Sequence, residues 1–178
     1  MIKFILLVNK QGQVRVGQYY EPTTKDDKDV LEGEVIRRCL TRGDNQCSFV
    51  EYRNFKLIYR RYATLFFIIG VDEEENELGI LEFIHLVVET LDKYFEKVCE
   101  QDVSLKVQFE RENISWICSQ LIHTPKILIY SLIRLQIICH CEKIYMILDE
   151  MVANGRIIET NHSKILAPLR MMEQHTPR

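Results

Sequence analysis

The chain has no marked excess of either charge: 23 Lys and Arg stand against 26 Asp and Glu, a formal net charge of −3. The two signs are interspersed as on an ordinary soluble surface, and nothing is basic enough to make nucleic acid the main partner. None of the six cysteines, Cys39, Cys47, Cys99, Cys118, Cys139 and Cys141, forms a CxxC pair. There is no Gly-Lys-Ser/Thr phosphate loop, no GxGxxG, no HExxH and no GxSxG, the local signatures of nucleotide, metal and nucleophile chemistry. No cofactor is therefore expected, and no nucleophile–base set supports an enzyme, although a site dispersed through a fold leaves no local motif. Long apolar runs are missing too. The run within Met1–Lys10 is too short for a signal-peptide core and no small-residue cleavage site follows. The expectation is a cytosolic chain with reduced thiols.

What is present is a hydrophobic fraction of 47% in 178 residues, enough for the packed core of one domain. Ile2–Val8 is almost continuously apolar, the pattern of a strand buried on both faces. Gln11-Gly12-Gln13 reads as a hairpin turn. In Val14–Tyr20 the alternation predicts Val14, Val16 and Gln18 on one side and Arg15, Gly17 and Tyr19 on the other. Lys25–Leu40 is an amphipathic helix with Val30, Leu31, Val35, Ile36, Cys39 and Leu40 on its apolar side, stopped by Arg42-Gly43-Asp44-Asn45. Three strands follow: Ser48–Arg53, Phe55–Arg60 after a tight turn at Asn54, and Ala63–Val71.

Asp72–Glu77 is an acidic turn, read as carboxylates opposing the positive end of the next helix rather than as a metal site. That helix is Glu77–Val98, with Leu78, Leu81, Ile84, Val88, Leu91 and Phe95 at steps of three and four. His85 on it is a core or rim histidine with no ligand partner at motif spacing. Glu142–Val152 is a further helix, with Asn154-Gly155 as its C-cap. A last helix starts at the N-cap Asn161 and is expected to stop near Ala167, ahead of Pro168. The order β-β-α-β-β-β-α, then more helix, implies a largely antiparallel sheet with helices on its faces.

These residues resemble the small (sigma) subunits of clathrin-adaptor-type complexes. Leu57-Ile58-Tyr59-Arg60-Arg61-Tyr62-Ala63-Thr64-Leu65-Phe66-Phe67 resembles the family signature, in which two aliphatics, Tyr and a basic residue precede Leu-aromatic-Phe. Phe66 stands where the family commonly has Tyr. Phe49–Lys56, Glu82-Phe83-Ile84-His85 with Tyr94-Phe95, and Ile147-Leu148-Asp149-Glu150-Met151 also fit. Within the family the chain is most similar to sigma subunits of the fourth adaptor complex, through Asn9–Gln13, Gln46–Phe49, Glu159-Thr160-Asn161 and Ile165–Leu169.

The resemblance implies an α/β (α+β) longin-like domain, a five-stranded antiparallel sheet flanked by helices. It implies direct docking on a large adaptin, within a complex of two large, one medium and one small chain. That complex selects cargo on cytosolic membrane faces, attached peripherally; for the fourth complex this means the trans-Golgi and endosomal region and its coated vesicles. It also implies a share in binding acidic dileucine signals on cargo tails. A cation must meet the acidic residue, and Arg15 matches the family's basic position; guanidinium holds carboxylates well. Ala63, Leu65, Val88 and Val98 match positions lining the leucine pocket. Equally, Leu65, Val88 and Val98 would serve as core in any α/β domain, and Arg15 as a solvated strand residue. A competing reading is a free-standing longin-type or SNARE-like trafficking module; Met171–Arg178 offers neither the heptad helix nor the anchor that such a module needs.

Ser104–Cys141 has no counterpart in the family. It holds Trp116, the only tryptophan, and the apolar Ile127–Cys141. That run contains Arg134 and falls short of the roughly 20 residues that span a bilayer. Cys139-His140-Cys141 is too tightly spaced for a standard metal site. The segment reads as translated intron or misplaced exon boundary, or as a surface loop with a helix after Pro125. A structureless loop of this length is unusual inside a compact domain, and its exposed apolar residues would be an aggregation risk. The chain is thus expected to be one sigma-type domain over 1–178, interrupted at about 104–141.

Overall fold

The structure, a computed structural model, describes residues 1–43, 46–62, 65–106 and 141–175. Its strands are β1 (Ile2–Asn9), β2 (Val14–Tyr19), β3 (Phe49–Tyr52), β4 (Phe55–Tyr62) and β5 (Leu65–Val71), and its principal helices are α1 (Lys25–Leu40), α2 (Glu77–Lys106), α3 (Cys141–Met151) and α4 (His162–His175). The five strands form one antiparallel sheet in the order β2-β1-β5-β4-β3. The expected α+β architecture is therefore the one observed.

Both faces of the sheet are covered, which is why β1 and β5 read as unbroken apolar runs. Phe4, Leu6, Val8, Leu57 and Ile68 pack with Val35 and Cys39 of α1. Their neighbours Ile5, Leu7, Ile58, Phe67 and Ile69 face the other way, onto Ile84 and Leu91 of α2, Ile144 and Leu148 of α3, and Ile165 and Leu169 of α4. Thr24 starts α1 by accepting from the Asp27 amide at 3.3 Å. Asn161 starts α4 by accepting from the Ser163 amide at 2.9 Å, the N-cap role expected of it. The acidic turn before α2 is tied down by cations: Asp72 lies 3.0 Å from Lys3 and 3.1 Å from the Met1 ammonium. The Lys3 hydrogen bond holds the Asp72 carboxyl below its ordinary range. Among the described residues no helix is long and apolar enough to cross a membrane, and no group of three or more His, Cys, Asp or Glu is placed to hold a metal ion.

Several local expectations are corrected. Val30 and Leu78 are 58% and 69% exposed. At roughly 100° per residue each lies about 140° around its helix from the fully buried Val35 or Leu91, so neither faces the sheet. In β2 the register shifts: Leu7 faces Val16 but Val8 faces Val14. Arg15 is the extra residue of a β-bulge, and Val14 joins the α1 face while Val16 packs toward α2. Asn154-Gly155 is not a helix cap. It turns a small hairpin between β6 (Val152–Ala153) and β7 (Arg156–Ile157), with both residues at positive φ, 49° and 75°, the demand of a type I′ turn.

Finally, α4 runs through Pro168 to His175. Losing one backbone donor costs roughly 3 kcal/mol in a helix interior. Beyond the proline, however, Leu169 is fully buried, and Glu173 accepts from the Tyr94 hydroxyl at 2.6 Å; together these hold the later turns in place.

The packing makes one chemical prediction. Cys39 is buried under α1 and burial pushes its thiol up to about 12, against a smaller opposing influence of Arg42. Cys47 is exposed. Because the thiolate is the nucleophile, iodoacetamide at mildly alkaline pH should modify Cys47 and spare Cys39 in the native protein. Both should react in urea. Peptide mass mapping checks this; native labelling of Cys39 as fast as of Cys47 would contradict the packing.

Candidate functional site

Of the candidate site residues, Arg15 and Leu65 lie at the end of the sheet where β1 turns into β2 and β5 begins. Asn9, nearly buried, organises that turn. Its Oδ1 accepts from the amides of Gln11 and Gln13, each at 2.9 Å, and its Nδ2 donates to both glutamine side-chain oxygens at 3.0 Å. An Asn side chain that closes a turn in this way is an Asx-type device. The oxygen of Gln13 then accepts from Arg15 Nη2 at 3.0 Å. Among the described residues this neutral contact is the one side-chain hydrogen bond of Arg15, and no carboxylate lies within ion-pair distance of it. A half-exposed guanidinium held by a neutral amide keeps most of its donor fork available to an incoming carboxylate.

Leu65 opens β5 opposite Asn9 in β1 and Tyr62 in β4. Two strand spacings of about 4.8 Å separate β5 from β2, so Leu65 and Arg15 share this end of the sheet at roughly 10 Å. Leu65 and Val88 belong to the same apolar cluster under α2, 4% and 5% exposed. In this conformation both are core residues, as the burial reading of them implied. Above them the Tyr62 ring stacks on His85 with centroids 6.4 Å apart, and the Tyr62 hydroxyl meets His85 Nδ1 at 3.2 Å. His85 is thus a rim histidine, with Glu89 3.5 Å from its other nitrogen. Val98 lies on α2, its side chain outside the description, and Ala63 falls outside the described residues.

The structure adds Asn9 and Gln13, which sequence reading treated as family-like residues and, for Gln13, as part of a hairpin turn. The signal was there: Asn at the start of a Gly-containing turn favours bonding its own backbone two and four residues on.

A family model described as clathrin adaptor complex small chain matches residues 1–128 and 125–176. The chain belongs to that family. It is 48% identical over 173 residues to the AP-4 complex subunit sigma of Arabidopsis thaliana, covering 97% of each chain. It is 44% identical over 174 residues to the AP-4 complex subunit sigma-1 of Homo sapiens, covering 98% of this chain and 97% of that one. Its fold superposes with a TM-score of 0.62, at 25% identity, on a chain of a homology model of the full-length AP-3 complex in a stretched open conformation, covering 98% of this chain and 94% of that one. As a clathrin adaptor small chain it is a structural, non-catalytic subunit whose partners are the other subunits of an adaptor complex.

Proposed function

We propose that this adaptor small chain is the sigma subunit of an AP-4-type heterotetramer. It docks directly on a large adaptin and works in cargo sorting at trans-Golgi and endosomal membranes and their coated vesicles. The observation that carries the reading is the 42–48% identity to AP-4 sigma subunits over 93–98% of the chain. The same reading takes 1–178 as one domain interrupted at about 104–141. The described backbone bears on the edges of that segment alone: Ser104, Leu105 and Lys106 extend α2, Cys141 opens α3, and 107–140, with Cys139 and His140, lie outside the described residues.

Co-expression with AP-4 large subunits, with and without Ser104–Cys141, followed by size-exclusion chromatography, tests both statements. Co-elution of both forms supports the subunit and a tolerated insertion. Co-elution of the deleted form alone supports the fold and marks the segment as inactivating. Co-elution of neither rejects the AP-4 assignment.

We infer further that the complex reads acidic dileucine signals at Arg15, Ala63, Leu65, Val88 and Val98. The guanidinium of Arg15 is held but not neutralised among the described residues, and the two described apolar members lie in one cluster, with Leu65 at the same end of the sheet. An acid-to-Arg contact contributes roughly 1.5–3 kcal/mol, so Arg15→Ala in the assembled complex should weaken a dileucine peptide by about tenfold or more. Fluorescence anisotropy with the labelled peptide reads this. Affinity equal to wild type would reject the role of Arg15.

A further inference from the structure

The turn that carries Arg15 has a fixed polarity. Backbone N–H groups only donate, so the Asn9 atom that meets the Gln11 and Gln13 amides must be its oxygen. The other end of that side chain is then Nδ2, and it donates to the Gln11 and Gln13 side chains at 3.0 Å each. The Gln13 atom that it meets is therefore Oε1. Arg15 requires the same from the opposite side: a guanidinium has no acceptor, so what its Nη2 meets at 3.0 Å must be an oxygen.

Oε1 of Gln13 thus serves two donors, and Nε2 is left over. Gln13 is exposed, and among the described residues its Nε2 has no hydrogen-bond partner. The two polar atoms of an amide lie about 2.2 Å apart by standard bond lengths. Nε2 therefore stands within roughly 5 Å of the Arg15 Nη2 that shares its Oε1 at 3.0 Å. The oxygens of a carboxylate have the same spacing as the amide atoms. One can accept from the unused part of the Arg15 fork while the other accepts from Gln13 Nε2.

The arrangement is set before a ligand arrives. Asn9 is 5% exposed, and the turn is closed by the Asn9 amide on the Gln13 carbonyl and the Gly12 amide on the Asn9 carbonyl, both at 3.0 Å. Side chains already ordered lower the cost of binding. Gln11 has the same polarity through Asn9, but among the described residues it does not touch Arg15. A carboxylate in place of the Gln13 amide would hold Arg15 as firmly and cancel its charge. The amide holds it, leaves the charge, and adds donors of its own.

We infer that Gln13 is a specificity-determining residue for the acidic position of the cargo signal. Its Nε2 and the Arg15 guanidinium together seat the two oxygens of one carboxylate, and Asn9 is the positioning residue beneath them. The inference rests on the dileucine reading above.

The test measures fluorescence anisotropy of labelled dileucine peptides on the assembled complex, with Glu, Gln or Ala at the acidic position. Wild type should hold the Glu peptide most tightly. Gln13→Glu exchanges Nε2 for an oxygen at nearly constant shape, and the remaining oxygen still meets Asn9 and Arg15. It should weaken the Glu peptide by roughly tenfold or more. It should also tighten the Gln peptide by about threefold, because the new oxygen accepts from the peptide amide, and leave the Ala peptide within about twofold of wild type. Gln11→Glu brings the same charge into the same turn without the Arg15 contact, and solvent screening should limit its effect on the Glu peptide to about twofold. Co-elution with the large subunits confirms that each variant is folded and assembled. Weakening of the Glu peptide without tightening of the Gln peptide would mean that Gln13 acts only through Arg15, and overturns the seat. Equal losses from Gln11→Glu and Gln13→Glu overturn it too, as an effect of net charge. Failure of wild type to hold any of the three peptides rejects the dileucine reading itself, and the seat with it.

Discussion

Gly155→Ala should lower the melting temperature by roughly 6–12 °C, at about 2–4 °C per kcal/mol for a domain of this size. A Cβ built at Gly155 meets the backbone oxygen of Ile2 at 2.2 Å and the Met1 side chain at 2.8 Å. The first is a main-chain atom of β1, held by the pairing of Ile2 with Val71 of β5, so it cannot swing away. The close approach is itself a hydrogen-bonded junction: the Ile2 amide donates to the Gly155 carbonyl at 2.8 Å. Gly155 also sits at φ 75°, where an L side chain costs roughly 1–2 kcal/mol before any clash. Clash and strain together put the loss at about 3 kcal/mol or more. The hairpin follows α3, and the Ile158 amide donates to the Met151 carbonyl at 2.9 Å, so α4 should loosen with it. Thermal melts give the first number, and hydrogen exchange at Ile2 and Ile158 locates the damage. A melting temperature within about 2 °C of wild type, below the shift expected from 1 kcal/mol, would show that the junction yields cheaply.

The second large effect is Gly70→Ala. Gly70 lies in the central strand, paired with Phe4 of β1 and Leu57 of β4. The Phe4 ring lies across it, so a Cβ there would meet ring carbons at 2.4–2.9 Å. That ring cannot retreat easily: it packs edge-on to Phe55 at 5.8 Å and tilted to Tyr19 at 5.9 Å between centroids. An aromatic side chain folded over a strand glycine covers the backbone that the glycine exposes. Overpacking of this kind costs typically 1–3 kcal/mol, and a fixed ring puts Gly70→Ala near the top, at about 3 kcal/mol. The sharper test is the cycle with Phe4→Leu. Alone, Phe4→Leu should destabilise; combined with Gly70→Ala it should cost about 2 kcal/mol less, because it removes the clash. Urea melts of the four proteins measure this coupling. Simple additivity would show that the ring does not hold Gly70 in its place.

How much of this was legible in advance differs by feature. The strands and α1 follow from patterns carried by adjacent residues. Lys25–Leu40 is bounded as expected because Thr24 and the Arg42-Gly43 exit act within a turn of its ends. The family is legible because its motifs are short, contiguous and correctly ordered. The candidate site is legible only in part. Arg15 stands out as a basic residue at the family position, and Asn9 at the start of a Gly-containing turn hints at the relay that aims it, yet nothing in its neighbourhood declares the bulge that carries it. Leu65 and Val88 look alike as pocket lining and as core, since both roles demand an aliphatic side chain; their burial decides what they are in this conformation.

The sequence by itself determined the order of the five sheet strands and the helices, the two-sided burial of β1, and membership of the adaptor small chain family. All three rest on periodicity and short motifs, which are local properties of the chain. The tertiary structure alone decided the rest. Asn154-Gly155 has the composition of a helix cap and of a hairpin turn alike, and the contact with Ile2, more than 150 residues away in sequence, selects the turn. Pro168 is a helix breaker by its own chemistry, and it is tolerated because Leu169 beyond it is buried in the shared core. Val30 and Leu78 are apolar in sequence and exposed in space, because only the sheet's position tells a helix which side is inside. In each case the deciding interaction is with a residue far along the chain, where local pattern carries no information.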